Sequence, residues 1–507
     1  MRKLLRLGAV IVLVLHVACG GSGGNSTPPP PPDQRAPNIV FILTDDQDMP
    51  SLAQMPRVKA LLRDQGTTFA RHYVSLSLCC PSRISGLRGQ FSHNTTIFKN
   101  GPPDGGFEAV YAKGLEQSTI ATWLQAAGYR TALFGKYLNG YPDTASATYI
   151  PPGWTEWASP NEGTPYKEFN YSLNENGHTV SYGETAADYM TDVLSAKATD
   201  FIRRSVDQFP DKPFFVYIPT YAPHGPSTPA PRHADLFPGA QAPRTAAFNE
   251  ADVTDKPAWV QALPLLTADQ IDQIDKLYRH RLQALQAVDE LVQNVVDTLQ
   301  AKGQLESTYI VFASDNGYHQ GQHRLDSGKM TAFEEDLLVP LVIRGPGVRR
   351  GATVNQITAN VDYAPTLAAI AGVSTPSFVD GRSLLQLLRG ETAGTWRQVL
   401  LLEHKPDNTD GFRAQANGTL EPADPFETLG DGPGISVFSG VRTASGLTYL
   451  EYDTGEFELY NNLTDPGQLT NSYVSAPADL KSRLAASVAS LRIAAGAALR
   501  SAEEIAP

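Results

Sequence analysis

Cysteine is nearly missing from this chain: three in 507 residues, two of them adjacent at Cys79 and Cys80 and the third at Cys19. A framework of disulfides is therefore excluded, and adjacent thiols lack the Cys-x-x-Cys spacing of a redox pair. Long apolar runs are missing too. The run Leu7 to Leu15 is too short to cross a bilayer, and it follows Arg2, Lys3 and Arg6, which is the layout of an export signal. Positive charge is in deficit, with 41 Lys and Arg against 53 Asp and Glu; the net charge is −12, and loss of the signal would take it to about −15. That balance argues against nucleic acid as a partner and leaves any anionic substrate to a few local cations. No internal repeat is visible, and 41% hydrophobic with 19% charged residues describes a folded globular protein without extensive disorder.

The start of the chain carries an address. Cys19 follows Val17-Ala18 and precedes Gly-Gly-Ser-Gly-Gly, which resembles the lipid-attachment site of a bacterial lipoprotein, with His16 where that pattern prefers leucine. Residues 20–36, with Pro28 to Pro32 in one run, read as a flexible and then stiff tether. The expectation is an exported protein of the bacterial cell envelope, periplasmic or at the surface, touching the membrane only through its anchor.

Beyond the tether, apolar β-rich runs end repeatedly in polar residues. Asn38 to Leu43 runs into Thr44-Asp45-Asp46-Gln47-Asp48; Thr131 to Phe134 into Gly135-Lys136; Pro213 to Ile218 into Ala222-Pro223-His224-Gly225-Pro226; Thr308 to Ala313 into Ser314-Asp315-Asn316-Gly317, followed by His319, His323 and Gly328-Lys329. Continuous apolar strands suit a parallel sheet buried on both faces, and ligands of such sheets sit at the carboxyl ends of the strands. Adjacent aspartates repel unless a cation lies between them. Apolar residues recur at three and four from 267 to 301 and predict a long amphipathic helix closed by Gly303. The fold class expected is α/β, a doubly wound and mostly parallel sheet over residues 37–394, with a smaller α+β domain over 395–507 ending in one helix from Pro477 to Leu499.

The stretch Cys79-Cys-Pro-Ser-Arg83 places two thiols, a rigid proline and a fixed charge in five residues. Pro81 biases Cys80 towards extended backbone, so a helix is expected to open near Ser82. The stretch resembles the sulfatase signature Cys-x-Pro-Ser-Arg, whose first cysteine, here Cys79, is oxidised to formylglycine. The resemblance extends over essentially all of residues 37–500, through Asp45-Asp46, Gly135-Lys136, Pro223-His-Gly225, Asp315-Asn-Gly317, Gly328-Lys329 and the late Glu458-Leu-Tyr460 with Asp465-Pro466. Phe134-Gly-Lys-Tyr-Leu-Asn139, Tyr149-Ile-Pro-Pro-Gly-Trp154 and Asp315 to Arg324 bring it nearest to the N-acetylglucosamine-6-sulfatases and heparan 6-O-sulfatases.

That resemblance implies an alkaline-phosphatase-like fold and hydrolysis of sulfate monoesters on a 6-O-sulfated amino-sugar glycan or oligosaccharide. It implies one divalent cation, Ca²⁺ with Mg²⁺ as the alternative, held by Asp45, Asp46, Asp315, Asn316 and the modified Cys79. Arg83 would hold the hydrated aldehyde, Lys136 and Lys329 the sulfate oxygens, and His224 the leaving oxygen, while Asn139 would touch sugar hydroxyls. A formylglycine-generating enzyme is implied as the maturation partner. Where many arylsulfatases have a histidine two residues after this lysine, the chain has Leu138. The base is then sought at His93 or His323. Competing readings are a phosphomonoester or phosphonate hydrolase on the same fold, an arylsulfatase, and an inactive glycan-binding lipoprotein.

Overall fold

The central strand of the computed structural model is Asn38–Thr44, and its alternating side chains enter two different cores. Ile39, Phe41 and Leu43 face one apolar cluster while Val40 and Ile42 face the other. Burial on both faces explains why this strand is apolar without alternation. The structure describes residues 36–391, 394–405 and 435–507, all within the compact unit 36–507. The export signal, Cys19, the tether up to residue 35 and most of the Gly/Pro/Asp-rich stretch after 405 lie outside the described residues.

The main sheet has ten strands, in the order Ala352–Val354, Thr67–Phe69, Leu341–Arg344, Thr308–Ser314, Asn38–Thr44, Phe214–Pro219, Arg130–Phe134, Glu156–Gly163, Tyr171–Glu175 and His178–Tyr182. The four strands from Thr308–Ser314 to Arg130–Phe134 are mutually parallel, so Asp315, Asp45, the His224 loop and Lys136 all leave the same edge. Helix Cys79–Arg88 packs Ile84 and Leu87 on one face of the sheet. Helices Met190–Gln208 and Ala268–Ala301 cover the other, the latter opened by a Thr267/Gln270 capping box and followed by Gly303 at φ +66°. This is the doubly wound α/β architecture expected, of the alkaline-phosphatase-like kind.

At the carboxyl end of the chain, Val399–His404, Phe438–Thr443, Leu447–Tyr452 and Phe457–Asn461 form a separate antiparallel sheet, covered by Leu484, Val488 and Leu491 of helix Ala478–Leu491. Its core is continuous with Val74, Leu76 and Leu78, the residues that lead into Cys79. The single terminal helix expected is broken into Ala478–Leu491 and Gly496–Glu503. Gly496 sits at φ +55° with its N–H on Asp380 Oδ1 at 2.6 Å, a left-handed position that favours glycine and interrupts the helix. Among the described residues no helix is long and apolar enough to cross a membrane.

Candidate active site

Helix Cys79–Arg88 begins three residues earlier than the proline suggested, at Cys79 itself. Pro81 stands in the first turn, where its missing N–H has no partner to lose. Cys79 is fully buried, and its sulfur lies 3.4 Å from Asp45 Oδ1 and 3.9 Å from Asp46 Oδ1. Lys329 Nζ lies beside that carboxylate, 3.1 Å from the sulfur and 2.8 Å from Asp46 Oδ1. Lys329 gets there from a small hairpin in which His319 pairs with Gly328.

Lys136 donates to Asp45 Oδ2 at 2.6 Å. It turns into the site because Gly135 adopts φ +131°, and a Cβ there would overlap the Pro219 carbonyl oxygen. Arg83 spans the site from below, with Nε on Asp315 Oδ2 at 2.8 Å, Nη1 on the Lys136 carbonyl at 2.9 Å and Nη2 3.4 Å from Asp45 Oδ1. Asp46 has φ +65°, which swings its carboxylate back towards Asn316 Nδ2 at 2.7 Å. Its own N–H donates to Asp315 Oδ1 at 3.0 Å. His224 gives its Nδ1–H to Gly225 O at 2.9 Å and faces Asp46 Oδ2 with Nε2 at 3.5 Å.

Charge decides the ionisation states. Burial works to raise the pKa of Asp45 and Asp46, but Lys136 and Arg83 beside the first, and Lys329 and His224 beside the second, hold both below the usual carboxylate range. Asp315, buried and facing Asp45, is pushed up to about 6 despite Arg83. Burial raises the Cys79 thiol well above its ordinary value, with the two lysines only partly offsetting it. A thiol held neutral is a poor nucleophile.

The donor set fits a hard divalent cation. Asp46 Oδ2 and Asn316 Oδ1 are buried and accept no hydrogen bond from any described residue, and oxygens of Asp45 and Asp46, the Cys79 sulfur and a His224 nitrogen lie within 4.8 Å of one another. Asn139 is buried on the Lys136 loop, with its carbonyl accepting from Phe107 N at 2.7 Å.

The two histidines considered as bases lie in structural settings. His93 puts Nδ1 on Glu403 Oε1 at 3.0 Å and Nε2 on Ala494 O at 2.9 Å, tying the helix region to the carboxyl-terminal sheet. His323 is anchored through Nδ1 on Glu250 at 2.7 Å and stacks on Phe333 at 3.7 Å.

Three groups at the site had not been singled out. Arg281 donates to the carbonyl of Asp46 and, at 3.3 Å, to Asp48 Oδ1, and lies over the Tyr318 ring at 4.1 Å. It could have been noticed as a charge in register with Ile274, Tyr278 and Leu285 on the buried stripe. Tyr166 packs against His224 at 4.7 Å between ring centroids and lies under Lys136 at 4.9 Å, with Tyr221 beside it. Nothing local in the sequence marks Tyr166.

A doubly wound sheet whose strand-end carboxylates, lysines and histidine close around a cysteine at a helix start is the arrangement of a hydrolase that handles an anionic ester. The chain belongs to the sulfatase family: the family model described as Sulfatase matches residues 37–373. The N-acetylglucosamine-6-sulfatase of Homo sapiens is 36% identical over 463 residues, 86% of this chain and 81% of that one. An extracellular sulfatase SULF-1 homolog of Drosophila melanogaster is 40% identical over 399 residues, 77% of this chain but 34% of that one. A structure solved in complex with its substrate D-glucosamine-2-N,6-O-disulfate superposes with TM-score 0.71 at 23% identity, covering 90% of this chain and 97% of that one, and shares the fold. The protein is a sulfuric ester hydrolase.

Proposed function

We propose that this enzyme removes sulfate from 6-O-sulfated amino sugars, as monosaccharides or at the end of short oligosaccharides, using formylglycine made from Cys79 and one divalent cation. The observation that carries this reading is the closure of Asp45, Asp46, Lys136, His224 and Lys329 around a buried, neutral Cys79. The choice of sugar is supported by the N-acetylglucosamine-6-sulfatases that match at 35% and 36% identity over most of their length.

Asp45, Asp46, Asp315 and Asn316 would hold the cation through oxygens, a set that suits a hard ion such as Ca²⁺ or Mg²⁺. Once formed, hydrated formylglycine would supply a hydroxyl nucleophile, which the cation would acidify, and a second hydroxyl that would restore the carbonyl, which a thiol cannot offer. Lys136 and Lys329 grip the sulfate oxygens and spread the charge of the transferring group. His224 hands a proton from Nε2 to the departing sugar oxygen, because Nδ1 is occupied by Gly225 O. Arg83 keeps the Asp315, Lys136 and Asp45 loops in register. Leu138 offers no base, and neither His93 nor His323 takes that role.

The test is mass spectrometry of the Cys79 peptide, followed by sulfate release from glucosamine 6-sulfate with Cys79→Ala as control. Active protein containing only free thiol would overturn the mechanism. Release from phosphate or phosphonate esters in preference to sulfate would overturn the substrate class.

We further propose a catalytic domain over 37–394 and a carboxyl-terminal domain over 395–507, export to the cell envelope on a lipid at Cys19, and maturation by a formylglycine-generating enzyme. Extracellular sulfatase relatives support export. Labelled fatty acid should enter the wild-type chain and not Cys19→Ala.

A further inference from the structure

A second cation-lined cavity lies away from Cys79, where the main sheet meets the carboxyl-terminal one. It measures about 550 Å³ and is walled in part by Arg71, Arg349, Asn355, Gln356, Trp396 and Gln398, with the exposed Glu391 as its one carboxylate, a volume in the range of small-ligand sites. Arg71 donates through Nη1 to Ala444 O and through Nη2 to Thr443 O, both at 2.8 Å. Carbonyl partners orient a guanidinium without neutralising it. Arg349 is exposed and lies across Gly390, whose φ of +70° and missing Cβ leave room for the arginine stem; a Cβ there would overlap it. Among the described residues neither arginine meets a carboxylate.

The remaining wall suits a sugar. Trp396 is fixed by its indole N–H on Ile357 O at 2.8 Å, Gln398 is braced by its side chain on Trp396 O at 2.9 Å, and the Asn355 and Gln356 side chains stand at the exposed mouth. A half-buried indole with amides and unneutralised guanidinium groups is the chemistry that takes an anionic saccharide. On a chain of net charge −12 such a place is distinctive.

Its location ties it to the active site. Residues 355–357 follow the carboxyl end of strand Ala352–Val354, which runs parallel to the strands that deliver Asp45 and Asp315. Arg71 is eight residues before Cys79, so even a fully extended chain would separate them by no more than about 28 Å. We infer that this cavity binds a sulfated or uronate-bearing unit of the same oligosaccharide whose terminal sulfate ester is cleaved at Cys79. The inference rests on the sulfated-saccharide reading above and adds to it a second point of attachment.

The experiment uses the full chain carrying Cys79→Ala, so that nothing turns over, and titrates a size-defined heparin hexasaccharide by calorimetry with glucosamine 6-sulfate saturating the active site. Hexasaccharide binding should persist, and Arg349→Glu or Trp396→Leu should each weaken it about tenfold. Unchanged affinity in both variants, or loss of all hexasaccharide binding once the monosaccharide is present, would overturn the inference. Inorganic sulfate giving the same Arg349-dependent heat would make this a simple anion site and overturn it equally. Failure of the substrate reading shows elsewhere, as absence of sulfate release from the monosaccharide by the unmutated enzyme.

Discussion

Lys329 Nζ stands 3.1 Å from the sulfur of Cys79 and 2.8 Å from Asp46 Oδ1, so one ammonium bridges the proposed nucleophile position and a proposed cation ligand. A charge in that place favours negative charge developing between them. Lys329→Ala should lower kcat for sulfate release about 100- to 1,000-fold, the range for loss of one preorganised donor, with an unchanged circular dichroism spectrum. A loss below fivefold would remove Lys329 from the reaction.

The two cysteines should behave differently. Cys79→Ala leaves no precursor and should abolish turnover, while Cys80, which packs in the apolar core with its backbone N–H on Asn100 Oδ1 at 2.9 Å, should tolerate alanine. Cys80→Ala should keep most activity and cost on the order of 1 kcal/mol in urea unfolding. A dead Cys80→Ala protein of normal stability would move the modification to the second thiol.

Calcium should stabilise the folded state through the strand-end oxygens. At about 100 times its Kd a single bound ion adds roughly 2.7 kcal/mol, read as a rise in Tm that EDTA reverses. Asn316→Ala removes one unpaired oxygen, Oδ1, and should shrink that rise. An equal rise in the variant would place the ion elsewhere.

Arg397, just before strand Val399–His404, ties the start of helix Tyr363–Ile370 to helix Gly496–Glu503. It is fully buried and bonds Asp362 through both Nη atoms, at 2.7 and 2.9 Å, and Glu503 through Nε at 2.8 Å. Removing Arg397 leaves the buried Asp362 carboxylate without a cation and Glu503 with Arg382 alone, so Arg397→Ala should destabilise by about 3–5 kcal/mol in chemical unfolding. Less than 1 kcal/mol would show that the carboxylates find other partners.

Glu168 gives a pH signature. Burial pushes its pKa from 4.5 up to about 8, although Thr191 N and Oγ1 donate to Oε2 at 2.9 Å each. The folded state therefore retains a proton that the unfolded chain releases above about 4.5. Its contribution is complete below pH 4.5 and is lost as pH rises to about 8, at up to roughly 1.4 kcal/mol per unit. Glu168→Gln should remove that slope, so the stability difference from wild type should grow in favour of the variant between pH 5 and 8. Parallel curves would mean that Glu168 is ionised in the fold.

The strand runs, the long helix and the polar residues that follow each strand could be read directly from the sequence, because a strand buried on both faces must be apolar throughout and its end is where the pattern stops. Asp45, Asp315 and Lys136 stood out for that reason. Arg281 and Tyr166 did not, since each acts through partners distant along the chain. The surroundings of His93 and His323 were equally hidden: Glu403 and Ala494 meet the first, and Glu250 and Phe333 the second, all far from them or unmarked in the sequence.

The sequence alone determined the doubly wound sheet, the helix that presents Cys79 and the family to which the chain belongs, because these follow from local periodicity and short motifs. Only the tertiary structure decided which charges meet. A carboxylate pair such as Asp45 and Asp46 can stay ionised in a buried site only if cations from distant segments reach it, and the placement of Lys136, Arg83, His224 and Lys329 depends on parallel strand order rather than on spacing along the chain.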